Sequence, residues 1–111
     1  VMNVIGNVKG KTCIIVDDII DSGGTIINAA KALRDRGAKE VYVYITHGVL
    51  SGEAVQKIKK SVIKNLVITD TIDNQEKVKK AKNIEVLTIA NLMGEAIKRI
   101  SNSTSVSDLF K

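Results

Sequence analysis

The densest chemistry in the chain lies between Asp17 and Thr25, where DDIIDSGGT places three carboxylates, two hydroxyls and two glycines in one short stretch. Asp17 and Asp18 are adjacent, and Asp21 follows after Ile19 and Ile20. Ser22-Gly23-Gly24-Thr25 then leads into a helical pattern of apolar residues. A helix start offers N–H groups without intrahelical partners and a partial positive charge, both suited to phosphate. Glycines let the backbone approach a ligand closely, and Ser22 and Thr25 add hydroxyl donors. The acids work against bare phosphate. Two unit charges ~4 Å apart repel by roughly 4 kcal/mol at an effective dielectric near 20, whereas a helix end contributes only about 0.3–2 kcal/mol. The carboxylates must therefore face sugar hydroxyls, which donate to them, or a divalent cation such as Mg2+. A phosphorylated sugar with a metal ion satisfies both halves of the stretch. The plain alternative is that Asp21 and Ser22 cap the helix while Asp17 and Asp18 mark a solvated strand end. Acid pair, third acid, glycine turn and helix start in register favour the ligand reading.

Other reactive residue types have blander readings. His47 stands beside Gly48 and reads as a hydrogen-bonded loop residue rather than a ligand. Ser51 reads as a helix cap, because no base is spaced to activate it as a nucleophile. Asp70 and Asp73 could approach a pocket but read as turn formers. Cys13 is the only cysteine and sits in an apolar run, which makes it a reduced core residue.

The elements that must hold these residues are short and alternate regularly. Cys13-Ile14-Ile15-Val16 is the apolar run of a strand buried on both faces, spanning Thr12 to Asp17. A helix from Thr25 to Arg36 follows and stops at Gly37, a good C-cap, with Arg34 and Arg36 near its negative end. Val41–Ile45, Leu66–Thr69 and Ile84–Ile89 read as three more strands. Helices are expected over residues 51–60 and 74–82, and a last one, capped by Asn91, through Ile100. The lead-in from Val1 to Lys11, with apolar Met2, Val4, Ile5 and Val8, reads as a short half-buried strand ending in a turn at Gly10-Lys11. The fold class is α/β: right-handed crossovers build a parallel sheet flanked by helices on both faces. Ligands of such sheets bind at the carboxyl ends of the strands, which here are Asp17-Asp18, Thr46-His47, Asp70-Thr71 and the residues after Ile89.

At 111 residues the chain is one domain at most, and burial of roughly 65% of the unfolded surface at this size is enough for one core. With 44% hydrophobic and 26% charged residues it has the composition of an ordinary globular protein. No apolar run approaches the ~20 residues of a membrane span, no targeting segment is visible, and a cytosolic protein fits best. The net charge of +5 favours small anions over nucleic acid, since aromatics make up only 3% and no arginine-rich block occurs. There is no proline, repeat or low-complexity linker. The tail from Ser101 to Lys111 is serine-rich and reads as frayed.

VDDIIDSGGT resembles the signature of the type I phosphoribosyltransferase fold. VIGNVKGK, THGVLSGEA, VITDTI and SVSDLF narrow the likeness to the C-terminal part of the ribose-phosphate pyrophosphokinase family, over Val1 to Phe110. The resemblance implies a reaction in which the diphosphoryl group of ATP moves to the anomeric hydroxyl of ribose 5-phosphate, with Mg2+ required. It implies that Asp21, Ser22, Gly23, Gly24 and Thr25 hold the 5-phosphate, and that Asp17 and Asp18 fix ribose hydroxyls directly or through metal. It also implies that Ser105-Val106-Ser107, with Phe110, helps form an allosteric phosphate or nucleotide site between subunits of a homo-oligomer, and that this tail is disordered without its partner. The family's ATP-binding domain, catalytic histidine and Lys/Arg loop precede the segment matching Val1, so the chain is expected to carry the sugar-phosphate site without catalysing alone. Two departures stand out: Asp73 occupies a position usually held by proline, and Ser22 replaces a common threonine while keeping the hydroxyl.

Three other readings compete. A type I phosphoribosyltransferase shares the acidic turn, but THGVLSG and SVSDLF argue against it. A non-catalytic regulatory subunit would not need the intact DDIIDSGGT. A response-regulator receiver would need a lysine after a late strand, where Ala90-Asn91 stands instead.

Overall fold

The computed structural model describes residues 3–111; Val1 and Met2, with their share of the expected lead-in strand, lie outside the described residues. Four parallel strands form one sheet in the order β1-β2-β3-β4: β1 (Thr12–Ile20), β2 (Glu40–Gly48), β3 (Asn65–Thr69) and β4 (Ile84–Leu87). Between and after them come the helices α1 (Gly24–Asp35), α2 (Ala54–Lys59), α3 (Gln75–Val78) and α4 (Ala90–Ser101), then a 3-10 turn over Ser107–Phe110. The α/β class and the parallel sheet are as the sequence predicts. Asn3 to Lys11 is not a strand: it is irregular chain ending in a turn closed by Lys11 N–H to the Val8 carbonyl (3.0 Å).

Alternation decides the core. Val41, Val43 and Ile45 of β2 and Leu66 and Ile68 of β3 point to one face and are almost wholly buried. The register stacks them, with Val43 opposite Ile15 and Leu66, and Ile45 opposite Ile68. Ile26 and Ala30 of α1, Ala54 and Ile58 of α2 and Val78 of α3 complete the same cluster. Each large aliphatic side chain buried this way contributes about 1.5–3 kcal/mol.

The other face is open, which corrects the expectation of helices on both faces. Ile14 is 56% exposed, Val16 75% and Leu87 57%. The cause is topological. Each right-handed crossover to the next strand over puts its helix on the same side, and the order β1-β2-β3-β4 never reverses. β1 is an edge strand with one covered face, not a strand buried on both.

Element ends differ from the sequence reading where local hydrogen bonds intervene. α1 ends in the glycine cap expected: Gly37, at φ +93°, donates to the Arg34 carbonyl (2.9 Å) and Ala38 to that of Leu33 (3.0 Å), the double bond of a Schellman motif. α2 is shorter than expected, and Ser51 does not cap it through its side chain; Glu53 stands at the N-cap. α3 spans a single turn, beginning at Gln75 rather than Asn74. Asn91 lies inside α4 and is not its cap. The Asp70 carboxylate takes the Ile89 N–H at 2.9 Å and the Thr88 hydroxyl oxygen takes that of Ala90 at 3.1 Å. α4 has no buried residue, and its apolar side chains Met93, Ile97 and Ile100 are exposed. No helix among the described residues is long and apolar enough to cross a membrane.

Candidate functional site

β1 runs three residues beyond the expected end and carries its acids on extended backbone, so Asp17 and Asp18 leave the strand on opposite sides. Chain direction then reverses at Gly23, which adopts φ +87° and ψ −8° at the N-cap of α1. That left-handed conformation costs an L-residue roughly 1–2 kcal/mol and glycine almost nothing. Neither Asp21 nor Ser22 caps the helix, because α1 has no side-chain cap bond. The N–H groups of its first turn therefore have no side-chain partner among the described residues.

A cleft of about 270 Å³ lies against this turn, lined by Asp17, Asp21, Ser22, Gly23 and Thr25 with Ile19, Ile20 and Ile26. Five of the seven residues predicted to bind a sugar phosphate thus border one cavity. Asp18 and Gly24 do not line it. One Asp17 oxygen accepts the Asp18 N–H at 2.8 Å, which fixes the carboxylate and leaves its second oxygen for a ligand. No lysine, arginine or histidine lines the cleft. Among the described residues no group of three or more His, Cys, Asp or Glu side chains could hold a metal ion. An Mg2+ ion needs no such cage, since one or two carboxylates with water and substrate oxygens suffice, and Asp17 is placed to provide one. Asp17 also borders a larger, mainly apolar hollow of about 450 Å³ on the open sheet face, floored by Val16, Tyr44, Val67 and Leu87.

The turn is held from behind by backbone groups of the loop after β2. Val49 and Leu50 donate to the Ile20 carbonyl (2.9 and 3.2 Å), and Ser51 donates to that of Asp21 (3.1 Å). Such bonds involve no side chain, so the only trace in the sequence is the small-residue spacing of Gly48 and Gly52.

At the other strand ends the polar groups satisfy one another. His47 Nδ1 shares a 2.8 Å hydrogen bond with the Thr71 hydroxyl, and the Thr69 hydroxyl donates to the Thr46 carbonyl at 2.5 Å. His47 is thus the hydrogen-bonded loop residue expected. The Thr88 hydroxyl and the Ile89 N–H hold the Asp70 carboxyl below its ordinary pKa of 3.8. Asp73 accepts the Gln75 N–H at 3.2 Å, as a turn former does.

The C-terminal tail is not frayed, contrary to expectation. Arg99 pairs with Glu95 at 3.1 Å and donates to the Ser105 carbonyl at 3.0 Å. Thr104 N–H returns to the Arg99 carbonyl (2.8 Å). Ser105 and Ser107 share a 2.8 Å hydroxyl bond, Val106 precedes the 3-10 turn, and Phe110 is 72% exposed.

Comparison with known proteins matches this arrangement to one group. Ribose-phosphate pyrophosphokinase of Hyphomonas neptunium is 59% identical over 110 residues, covering 99% of this chain and 35% of the relative's length. The protein of the same name from Bradyrhizobium diazoefficiens is 60% identical over the same share of each. The chain thus spans about a third of the length of the curated relatives it matches. The crystal structure of phosphoribosylpyrophosphate synthetase from Mycobacterium smegmatis superposes with a TM-score of 0.85 at 40% identity, over 89% of this chain and 33% of that one. The family model described as the phosphoribosyl synthetase-associated domain matches residues 1–111. With four parallel strands, an acidic turn at the end of the first and a family match over its whole length, the chain belongs to the phosphoribosyl synthetase-associated domain family.

Proposed function

We propose that this chain is the ribose 5-phosphate-binding, C-terminal part of a ribose-phosphate pyrophosphokinase, with a phosphoribosyltransferase-like fold. The whole enzyme transfers the diphosphoryl group of ATP to the anomeric hydroxyl of ribose 5-phosphate, giving phosphoribosylpyrophosphate and AMP. The observation that carries the reading is the cleft at the uncapped start of α1, lined by Asp17 and Asp21 together with Ser22, Gly23 and Thr25. The 5-phosphate sits against Ser22, Gly23, Gly24 and Thr25, where first-turn N–H groups and hydroxyls donate to its oxygens. Asp21 stands at the mouth of this turn, and Asp17 accepts from ribose hydroxyls. Asp18 leaves β1 on the other side and plays the lesser part. Mg2+, when bound at Asp17 with water and sugar oxygens, supplies positive charge to the reacting phosphates.

Holding the sugar in one orientation is a large share of phosphoryl-transfer catalysis. The remaining share is cationic stabilisation of the transferred phosphates. The cleft has no cationic side chain of its own, so that share comes with the ATP-binding part of the enzyme. The exposed apolar row of α4 and the exposed Phe110 support a subunit contact at that end, with Ser105, Val106 and Ser107 beside it as the regulatory phosphate site.

Titration calorimetry of the 111-residue chain tests the reading. Ribose 5-phosphate is expected to bind at least tenfold more tightly than ribose, through about two charge-assisted hydrogen bonds to the phosphate, and Mg2+ to strengthen the difference. Equal heats for the two sugars would overturn it.

A further inference from the structure

The acidic turn is held by the loop after β2: the carbonyls of Ile20 and Asp21 take the N–H groups of Val49, Leu50 and Ser51. That loop is itself under constraint. Leu50 is fully buried with φ at +51°, a left-handed conformation that an L-residue keeps only when its surroundings over-determine it. Two side chains, Asn74 at the N-cap of α3 and Lys77 within that helix, supply part of that constraint. Asn74, the one buried polar residue among those described, donates from Nδ2 to the Gly48 carbonyl. Lys77 Nζ donates to the Leu50 carbonyl at 3.1 Å and reaches that of Val49 at 3.5 Å. The loop is thus clamped on both edges, its N–H groups by the turn and its carbonyls by Asn74 and Lys77.

Resting on the sugar-phosphate reading of the cleft, we propose that Asn74 and Lys77 are positioning residues for the acidic turn, acting through Gly48–Ser51 without touching the ligand. Neither residue lines the cleft. Nor does composition single them out, since Lys77 is one of 17 basic residues and Asn74 reads only as the start of a short helix. The chemistry is a chain of hydrogen bonds: side-chain donor to loop carbonyl, loop N–H to turn carbonyl, turn N–H to phosphate oxygen. Removing the first link frees the loop to relax away from its strained conformation, and the turn then has to be reordered each time sugar phosphate binds.

Lys77→Met is the primary test, because Lys77 is exposed and its replacement leaves the core intact. Calorimetry with ribose 5-phosphate should give about three- to tenfold weaker binding, the range expected for losing one hydrogen bond to a loop carbonyl. The amides of Val49, Leu50 and Ser51 should exchange with solvent faster while the melting temperature stays within about 2 °C. Lys77→Arg should restore affinity and slow exchange together. Asn74→Ala should weaken binding at least as much, with some loss of stability because the Gly48 carbonyl loses its buried donor. Lys57→Met, which removes an equal charge from α2 at a residue with no side-chain hydrogen bond among the described residues, separates positioning from a through-space field and should leave affinity and exchange unchanged.

Equal weakening by Lys57→Met and Lys77→Met, or unchanged affinity and exchange in Lys77→Met while the wild-type chain binds, would overturn the positioning role alone. A wild-type chain that binds no ribose 5-phosphate would overturn the reading of the cleft, and the positioning role with it.

Discussion

β1 and β3 are each followed directly by an aspartate at the same rim of the sheet, Asp21 and Asp70, yet the two ends do opposite things. Asp70 gives its carboxylate to the start of α4, where the Ile89 N–H and the Thr88 hydroxyl donate to it. Asp21 makes no side-chain bond to the start of α1, and Asp17 takes only the neighbouring Asp18 N–H. At α4 the N–H of the N-cap residue Ile89 is taken by a carboxylate from the end of another strand; at α1 the acids beside the helix start make no such bond. A helix N-terminus left uncapped forgoes about 0.5–2 kcal/mol; α2, α3 and α4 also lack a side-chain cap, and what sets the start of α1 apart is the acid-lined cleft against it. Residue type alone does not separate a structural acid from a binding one. The hydrogen bonds already made do.

Changes at the loop joining the two ends should have the largest effect. A Cβ on Gly48 would lie 2.7 Å from Ile68 Cδ1 and 3.2 Å from its Cγ2, against fully buried side-chain atoms. Gly48→Ala is therefore expected to destabilise the chain by about 1–3 kcal/mol, read as a lower urea midpoint, and to disturb both ends because Gly48 also accepts the Asn74 bond. Gly23→Ala should be milder and one-sided. A Cβ there meets only Ile27 and Ile58 at ordinary contact distances of 3.7 and 3.8 Å, so its cost is the left-handed backbone alone, about 1–2 kcal/mol. Affinity for ribose 5-phosphate should fall in the same variant, while the exchange of the Ile89 amide beside Asp70 stays as it was.

How far the sequence reveals this contrast depends on the residue. The apolar runs at Cys13–Val16 and Val41–Ile45 and the glycine at Gly37 are local signals, and the strands and the α1 cap follow from them. Which sheet face is covered is not local. Ile14 and Val16 are as apolar as Cys13 and Ile15, but strand order decides that only the second pair meets helices. The five cleft residues were legible because their chemistry is written in side chains. Val49, Leu50 and Ser51 were not, because they act through N–H groups that every residue but proline carries. Asn91 is the best capping side chain nearby in sequence, but the carboxylate that takes the N–H of the N-cap residue Ile89 is Asp70, 19 residues away and adjacent only once β3 and β4 pair.

The smallest and most discriminating test exchanges charge for its neutral isostere at each end. Asp17→Asn should weaken ribose 5-phosphate binding several-fold with the melting temperature unchanged, because that carboxylate supports little of the fold. Asp70→Asn should do the reverse, lowering the melting temperature while affinity holds. Asp70 also has a signature in acid. Hydrogen bonds from Thr88 and Ile89 favour the charged Asp70 carboxylate, so its pKa in the folded chain lies below the 3.8 it has when unfolded. The unfolded chain then binds the proton more readily, and stability falls as pH falls. Asp70's contribution is complete well above pH 3.8 and is lost as the pH drops through its lower folded value. Urea midpoints measured from neutral pH down to about pH 3 should therefore decline less steeply in Asp70→Asn than in the wild type, since the substituted amide has no proton to take up. An acid limb of identical slope in both would mean that the Asp70 carboxylate gains nothing from its bonds at the start of α4, and the distinction between the two strand ends would lose its physical basis.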